Sequence, residues 1–256
     1  KRDQHQALDA LWVGLTECPI NWVVDLDIQS YFDRIQQDWM VRFVEHRIAD
    51  KRIIRLIRKW LRAGVMEDGH WQPTEEGSPQ GAVISPLLAN IYLHYAFDLW
   101  VQQRRRKEVR GAMIVVRFAD DMVAGFQHKE KADAFLADVA DRLSQFGLKL
   151  HPRKSRLIEF GRHAASRRTA AGLGTPETFN FLGFTHISAK TRNGRFVIRR
   201  RTVGKRLRRK LHEIKRELRR RFEDPVPETG RWLRQVLQGS YRYFAVPYNL
   251  DSLNLF

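Results

Sequence analysis

Cysteine occurs once in this chain, at Cys18, which excludes an internal disulfide framework and a cysteine-rich zinc site. A lone thiol fits a reducing cytoplasm, the compartment expected here. No run of 18 or more apolar residues is present, so no bilayer-spanning helix is expected. The nine histidines show no HExxH-like metal spacing. No secretory leader is visible, although the sequence begins at Lys1. Internal repeats and low-complexity stretches are also missing. Acid is scarce relative to base: 29 Asp and Glu stand against 46 Lys and Arg, a net charge of +17. That surplus points to a polyanionic partner, either nucleic acid or an anionic membrane face. What is present is enough for a core: 43% of 256 residues are hydrophobic, sufficient for one large domain or a domain and a half.

The segment Trp22–Ile28 is short and β-rich, a strand carrying Asp25 and Asp27. Helical patterns follow over 38–48 and 50–63, the second stopped by Gly64, and 65–80 reads as loop. An apolar helix is expected from Pro86 to Trp100. Two strands, 113–118 and 122–126, flank Ala119-Asp120-Asp121 and form a hairpin with acids at its tip. An amphipathic helix over 129–146 presents Phe135, Leu136, Val139, Leu143 and Phe146 on one face. Further strands are expected near 148–150, 155–160, 179–187 and 195–200. Composition then shifts. From Arg199 to Phe222 there are 13 basic and 2 acidic side chains, and Val203, Leu207, Leu211, Ile214, Leu218 and Phe222 recur at helical spacing. A helix over 203–222 with one apolar stripe and basic flanks is expected, broken by Asp224-Pro225 and followed by an aromatic-rich helix over 228–244. A domain boundary is placed near 199–203.

Adjacent carboxylates repel, so a site gathering three of them calls for divalent cations. Mg²⁺ prefers oxygen ligands and completes its shell with substrate phosphates, and two such ions suit transfer of a nucleotidyl group. An Asp-Asp pair alone also suits an ordinary turn. Asp25 and Asp27 lie two apart on a strand and face the same way, so periodicity does not choose between them.

The motifs decide more. VDLDIQSYFDRI at 24–35, EGSPQGAVISPLLANIYL at 76–93, RFADD at 117–121, GLKLHPRKSRLI at 147–158 and FNFLGF at 179–184 occur in the order and spacing of group II intron reverse transcriptases. The chain resembles that family over nearly its whole length, as a piece covering the palm and the start of the thumb. The resemblance implies an α+β right-hand palm, an antiparallel sheet with helices on one face, followed by a basic helical thumb segment. Residues 1–200 would form the palm with the end of the fingers, and 201–256 a partial, maturase-like thumb. Only about 20 residues precede the first acid motif, so the triphosphate-gripping part of the fingers is expected to lie outside this piece.

By the same resemblance, Asp27, Asp120 and Asp121 form the metal-binding catalytic triad, and Ile28 offers a main-chain carbonyl. Asp25 becomes a supporting or surface acid; Asp33, by residue type, is read mainly as a helix N-terminal residue. Tyr31 would stack under the incoming sugar and exclude ribonucleotides; Phe32 is the next candidate but is expected chiefly to pack in the core. Gln80 and Gly81 would lie against the nascent base pair and the dNTP; Ala82 stands where many relatives have a second glycine. Lys154, Phe181, Leu182, Gly183, Arg206, Arg209 and Lys210 would contact template and primer. The implied cofactors are two Mg²⁺ ions, with Mn²⁺ as substitute. The implied partners are an RNA template such as a group II intron, a DNA primer or cDNA, and dNTPs, with no membrane. The expected function is RNA-directed DNA synthesis that also assists intron splicing and mobility. The alternatives are an RNA-binding maturase without polymerase activity and a defence- or CRISPR-associated reverse transcriptase.

Overall fold

Short β-branched strands separated by helices of one apolar stripe can bury their faces only by layering helix on sheet. That is the arrangement in the computed structural model, which describes residues 3–63, 65–67, 70–72, 77, 83–107 and 111–256. The chain divides into two compact units, Lys1–Glu159 and Phe160–Phe256. The composition shift near residue 200 falls inside the second unit, about forty residues after the division between them.

The first unit opens with α1 (Gln4–Glu17), which begins in a reciprocal cap: Gln6 N donates to the Asp3 carboxylate at 2.8 Å and Asp3 N donates to the Gln6 side chain at 3.2 Å. Next come β1 (Trp22–Leu26), a 3₁₀ turn (Tyr31–Arg34), α2 (Gln37–Glu45) and α3 (Lys51–Leu61). A short hairpin, β2 (Val65–Glu67) and β3 (His70–Gln72), occupies part of the stretch expected to be loop. The expected apolar helix is three pieces: α4 (Ser85–Leu93), a π-turn (His94–Asp98) and α5 (Leu99–Lys107). The acid-tipped hairpin is β4 (Met113–Phe118) and β5 (Asp121–Phe126), followed by α6 (Lys129–Ser144) and β6 (Arg156–Glu159). The strand expected at 148–150 is reduced to a single bridge between Ile28 and Leu150.

The sheet runs β4-β5-β1-β6, antiparallel throughout. One face carries Val24, Leu26, Met122, Ala124 and Phe126 into a core shared with α2, α4 and α6. There Phe43 stacks on Tyr95 at 4.7 Å and meets Tyr92 edge-on at 5.4 Å. The other face is also partly covered. Gly14 of α1 comes so close to Ile114 of β4 that a Cβ there would lie 2.9 Å from its Cδ1. The helices thus lie mainly, not solely, on one face.

The second unit contains α7 (Ala164–Ala170) and an antiparallel meander of β7 (Phe179–Phe181), β8 (Phe184–Lys190) and β9 (Phe196–Thr202). The single strand expected over 179–187 is two strands joined by Leu182-Gly183. Its buried face holds Phe160, Phe179, Phe181, Phe184 and His186. His186 lies flat on Phe179 at 4.9 Å, and burial together with the nearby Arg200 presses its pKa down to about 3, so it is neutral. Then follow α8 (Gly204–Arg220), α9 (Val226–Phe244) and α10 (Leu250–Asn254). Buried Asn249 ties the start of α10 to the end of β9, accepting from Thr202 N at 2.8 Å and donating to its hydroxyl at 2.9 Å. Phe222 does not complete the α8 stripe as expected: the helix stops two residues earlier, and the ring is 89% exposed. Among the described residues no helix is long and apolar enough to cross a membrane.

Candidate active site

β1 and β5 pair antiparallel with Leu26 opposite Met122 and Asp25 opposite Val123. Continuing that register by one residue sets Asp27 opposite Asp121. Strand alternation then puts Asp25, Asp27 and Asp121 on one sheet face, the one not occupied by α6. Asp120 sits beside them at the hairpin tip. The two-residue turn Ala119-Asp120 is closed by the pairing of Phe118 with Asp121. Ala119 has φ of 53°, a left-handed conformation unusual for a residue with a Cβ, and it costs about 1–2 kcal/mol.

The electrostatics follow from this crowding. Asp25 has its carboxyl pushed up to about 6, first by burial and then by Asp121 and Asp27, against the opposing pull of Arg156. Arg156, opposite it on β6, comes within 3.8 Å. Asp25 is therefore the sheltered acid of the pair on β1: its side chain is 19% exposed, whereas that of Asp27 is 38% exposed. The Asp27 carboxylate is met by the ammonium of Lys154 at 3.4 Å. Carboxylates gathered on one sheet face beside the ammonium of Lys154 make a concentration of negative charge that a hard divalent ion would neutralise. The donor set fits such an ion in chemistry, through carboxylate oxygens and main-chain carbonyls. Among the described residues no group of three His, Cys, Asp or Glu closes around a common point.

Residues 151–155 hold the main chain of Asp27. His151 N donates to the Asp27 carbonyl at 2.7 Å, and the Ser155 hydroxyl donates to the same carbonyl and accepts from Asp27 N, both at 3.1 Å. The bonds flanking the bridge between Ile28 and Leu150 come from Gln29 N and His151 N, so the Ile28 carbonyl is not consumed by that pairing.

Tyr31 is buried at 4% exposure, and its hydroxyl donates to the Ala89 carbonyl in the core. Burial pushes its phenol far above the usual range. A ring so enclosed leaves little surface for a nucleotide. Neighbouring Phe32 is half-buried and packs against it at 5.4 Å. The ring with surface to offer is thus Phe32, the reverse of the order expected from the resemblance; the 3₁₀ turn, begun by the left-handed Ser30, swings Tyr31 inward. Gln80, Gly81 and Ala82 lie outside the described residues. The start of their motif is fixed by Gly77, which is buried at φ of 87°; its N donates to the Ile35 carbonyl at 2.7 Å, and a Cβ there would sit 2.9 Å from the Phe32 carbonyl. Only glycine suits that approach.

The remaining predicted residues lie in the second unit. Phe181 and Leu182 are buried, and the Phe181 ring lies 6.4 Å from that of His186 in the same unit. Leu182 and Gly183 have φ of 48° and 84°, the doubly left-handed turn that fits the twist of a two-residue hairpin. The Leu182 carbonyl accepts from the Tyr243 hydroxyl at 2.9 Å, and a Cβ on Gly183 would lie 2.9 Å from the guanidinium of Arg206. Arg206, Arg209 and Lys210 are exposed on α8, the last two sharing Glu213 at 3.8 Å.

Sequence reasoning passed over Ser155, His151, Gly77 and the partners of Arg117. Arg117, inside an otherwise apolar strand, was the visible signal. Its guanidinium meets Asp98 in a two-pronged pair at 2.7 and 2.6 Å.

Residues 4–186 match the family model described as reverse transcriptase (RNA-dependent DNA polymerase). The chain is 41% identical over 86 residues to group II intron-encoded protein LtrA of Lactococcus lactis subsp. cremoris, covering 34% of this chain and 14% of that protein. It is 37% identical over 107 residues to protein YkfC of Escherichia coli, covering 41% of this chain and 28% of that protein. The chain therefore spans less than a third of either relative. Among solved structures, apo telomerase from Candida tropicalis superposes with a TM-score of 0.52 at 14% identity, over 72% of this chain and 35% of that one, a likeness of fold.

Proposed function

Since the chain belongs to the reverse transcriptase (RNA-dependent DNA polymerase) family, we propose that it is the palm and part of the thumb of a group II intron-type enzyme that copies RNA into cDNA. Enzymes of this family work with divalent metal ions, and the finer reading is two Mg²⁺, with Mn²⁺ able to replace them. The observation that carries the reading is the register of β1 and β5, which brings Asp27 opposite Asp121 with Asp120 beside them.

In this reading Asp27, Asp120 and Asp121, with the Ile28 carbonyl, hold the ions. When bound, these ions supply Lewis-acid activation of a 3′-hydroxyl and charge stabilisation at the phosphates. The primer's 3′-oxygen bonds to the α-phosphorus of the dNTP, the bond to the bridging oxygen breaks, pyrophosphate leaves, and the hydroxyl proton passes to solvent. The chain's own residues set the geometry. His151 and Ser155 hold Asp27, Lys154 neutralises it before loading and is free to meet a phosphate afterwards, and Phe32 presents a ring edge to the sugar. The exposed cations of α8 follow the backbone of the template–primer duplex. That basic surface contains no catalytic acid, and it also favours a second reading, intron RNA binding that assists splicing without polymerisation.

Primer extension on an RNA template with dNTPs and Mg²⁺, run on the wild-type chain and on Asp120→Asn, tests both readings. Extension abolished by the substitution supports the polymerase. Absent extension with salt-sensitive RNA binding in both proteins, repeated with a fingers segment supplied, rejects it in favour of RNA binding alone.

A further inference from the structure

Alternation along β4 places Met113, Val115 and Arg117 on the face covered by the helical layer, away from the face of Asp121. A cation there is costly unless every donor is met. Nε and Nη2 of Arg117 donate to the two carboxylate oxygens of Asp98, at 2.7 and 2.6 Å. Nη1 donates to the Asn90 side-chain oxygen at 3.0 Å and to the Ala119 carbonyl at 2.8 Å. The guanidinium therefore joins three places: α4 through Asn90, the end of the π-turn through Asp98, and the main chain of the hairpin tip one residue before Asp120.

Two backbone irregularities meet at this group. Ala119 holds the left-handed conformation at φ of 53°. Asp98 closes a π-turn, whose extra residue rotates the side chains that follow relative to a continuous α-helix. Strained or inserted backbone persists where its surroundings over-determine it, and the Arg117 fork supplies that determination here.

We propose that Arg117 is a positioning residue for the carboxylates of the tip: gripped by Asp98 and Asn90, it fixes the Ala119 carbonyl from behind the sheet and so sets the aim of Asp120 and Asp121. The inference rests on the reading of the tip as an ion-binding site, but the fixing of the tip is measurable without it. Lysine keeps the charge and cannot reproduce the fork, so Arg117→Lys separates geometry from charge.

The test uses the full chain with Arg117→Lys, Asp98→Asn and, as control, Arg104→Lys, which alters another arginine–carboxylate pair of the helical layer, with Asp138. Hydrogen exchange of the amides of 118–122 is compared with that of β1 and β6, and Mn²⁺ binding is followed by electron paramagnetic resonance. The expected result is tip exchange about tenfold faster in Arg117→Lys and Asp98→Asn, with strand exchange nearly unchanged, since a lost charged hydrogen bond loosens what it held by about that factor. Mn²⁺ affinity should fall about tenfold in both, as outer-shell losses do, and Arg104→Lys should change neither. Unchanged tip exchange in both variants, or acceleration spread equally through the unit, overturns the positioning role. Wild-type protein that binds no Mn²⁺ overturns the ion-site reading instead, while the exchange data still decide whether Arg117 fixes the tip.

Discussion

At the scale of single residues, burial separates side chains that periodicity leaves equivalent. Asp25 and Asp27 share a face, but Asp25 is enclosed and its carboxyl titrates near 6. Its folded pKa lies above the unfolded value, so protonation favours the fold. That stability is fully present below about pH 4 and is lost as pH rises through about 6. Asp25→Asn should therefore stabilise the metal-free protein by about 1–3 kcal/mol at pH 7.5, and the gain should vanish toward pH 4. Thermal unfolding across that range checks the slope. The Tyr31 and Phe32 pair makes a second prediction. Tyr31→Ala should cost about 3–5 kcal/mol of stability as a buried ring lost from the core. Phe32→Ala should leave the fold intact and raise ribonucleotide incorporation relative to deoxyribonucleotide, read in a primer-extension competition. The structure brings the acids singled out by the motif resemblance together on one sheet face and its hairpin tip, whereas the resemblance ranked Tyr31 above Phe32. A left-handed Ser30 that turns one ring inward has no signature in residue type.

Among the elements, those with a strong period were legible. The hairpin of β4 and β5, the stripe of α6 and the basic α8 all lie within a few residues of where their patterns put them. Two of the misses share a cause, which is backbone geometry that leaves hydrophobic spacing unchanged. FNFLGF reads as one strand because Leu182 is apolar, but Leu182-Gly183 reverses the chain. The stretch from Pro86 to Trp100 reads as one continuous helix because a π-turn adds only one residue to its pattern, and the helix runs on to Lys107. α1 carries polar residues among its buried Leu8, Leu11 and Leu15, and the capping box of Asp3 and Gln6 was its one local sign. The Leu182-Gly183 turn also predicts a local effect. Gly183→Ala puts a Cβ on a left-handed φ and should destabilise by about 1–3 kcal/mol, while the exposed Arg206 guanidinium, the end of a flexible side chain, can swing aside. The loss should be nearly the same if Arg206 is shortened to alanine in the same chain, because the cost lies in the backbone, a comparison that a double-mutant cycle in urea measures.

For the whole molecule the dominant quantity is charge. The net +17, concentrated in the second unit's β9 and α8, predicts RNA binding that falls by orders of magnitude between about 50 and 200 mM salt. Replacing Arg206, Arg209 and Lys210 together by glutamine should flatten that dependence by up to about three contacts, seen as a shallower slope of log affinity against log salt. Composition marked where base accumulates but not where the chain divides, because the division follows contacts and β9 belongs with β7 and β8. The sheet order has a consequence of its own. β1 lies between β5 and β6, so its neighbours come about one hundred and about one hundred and thirty residues downstream. During synthesis at about 5–20 residues per second, β1 waits about ten seconds for both partners. Through that interval Val23, Val24 and Leu26 stand on a strand with two open edges, the geometry that recruits other chains. A nascent chain arrested before Arg156 should thus be a chaperone client, and release past Glu159 should end that dependence for the first unit.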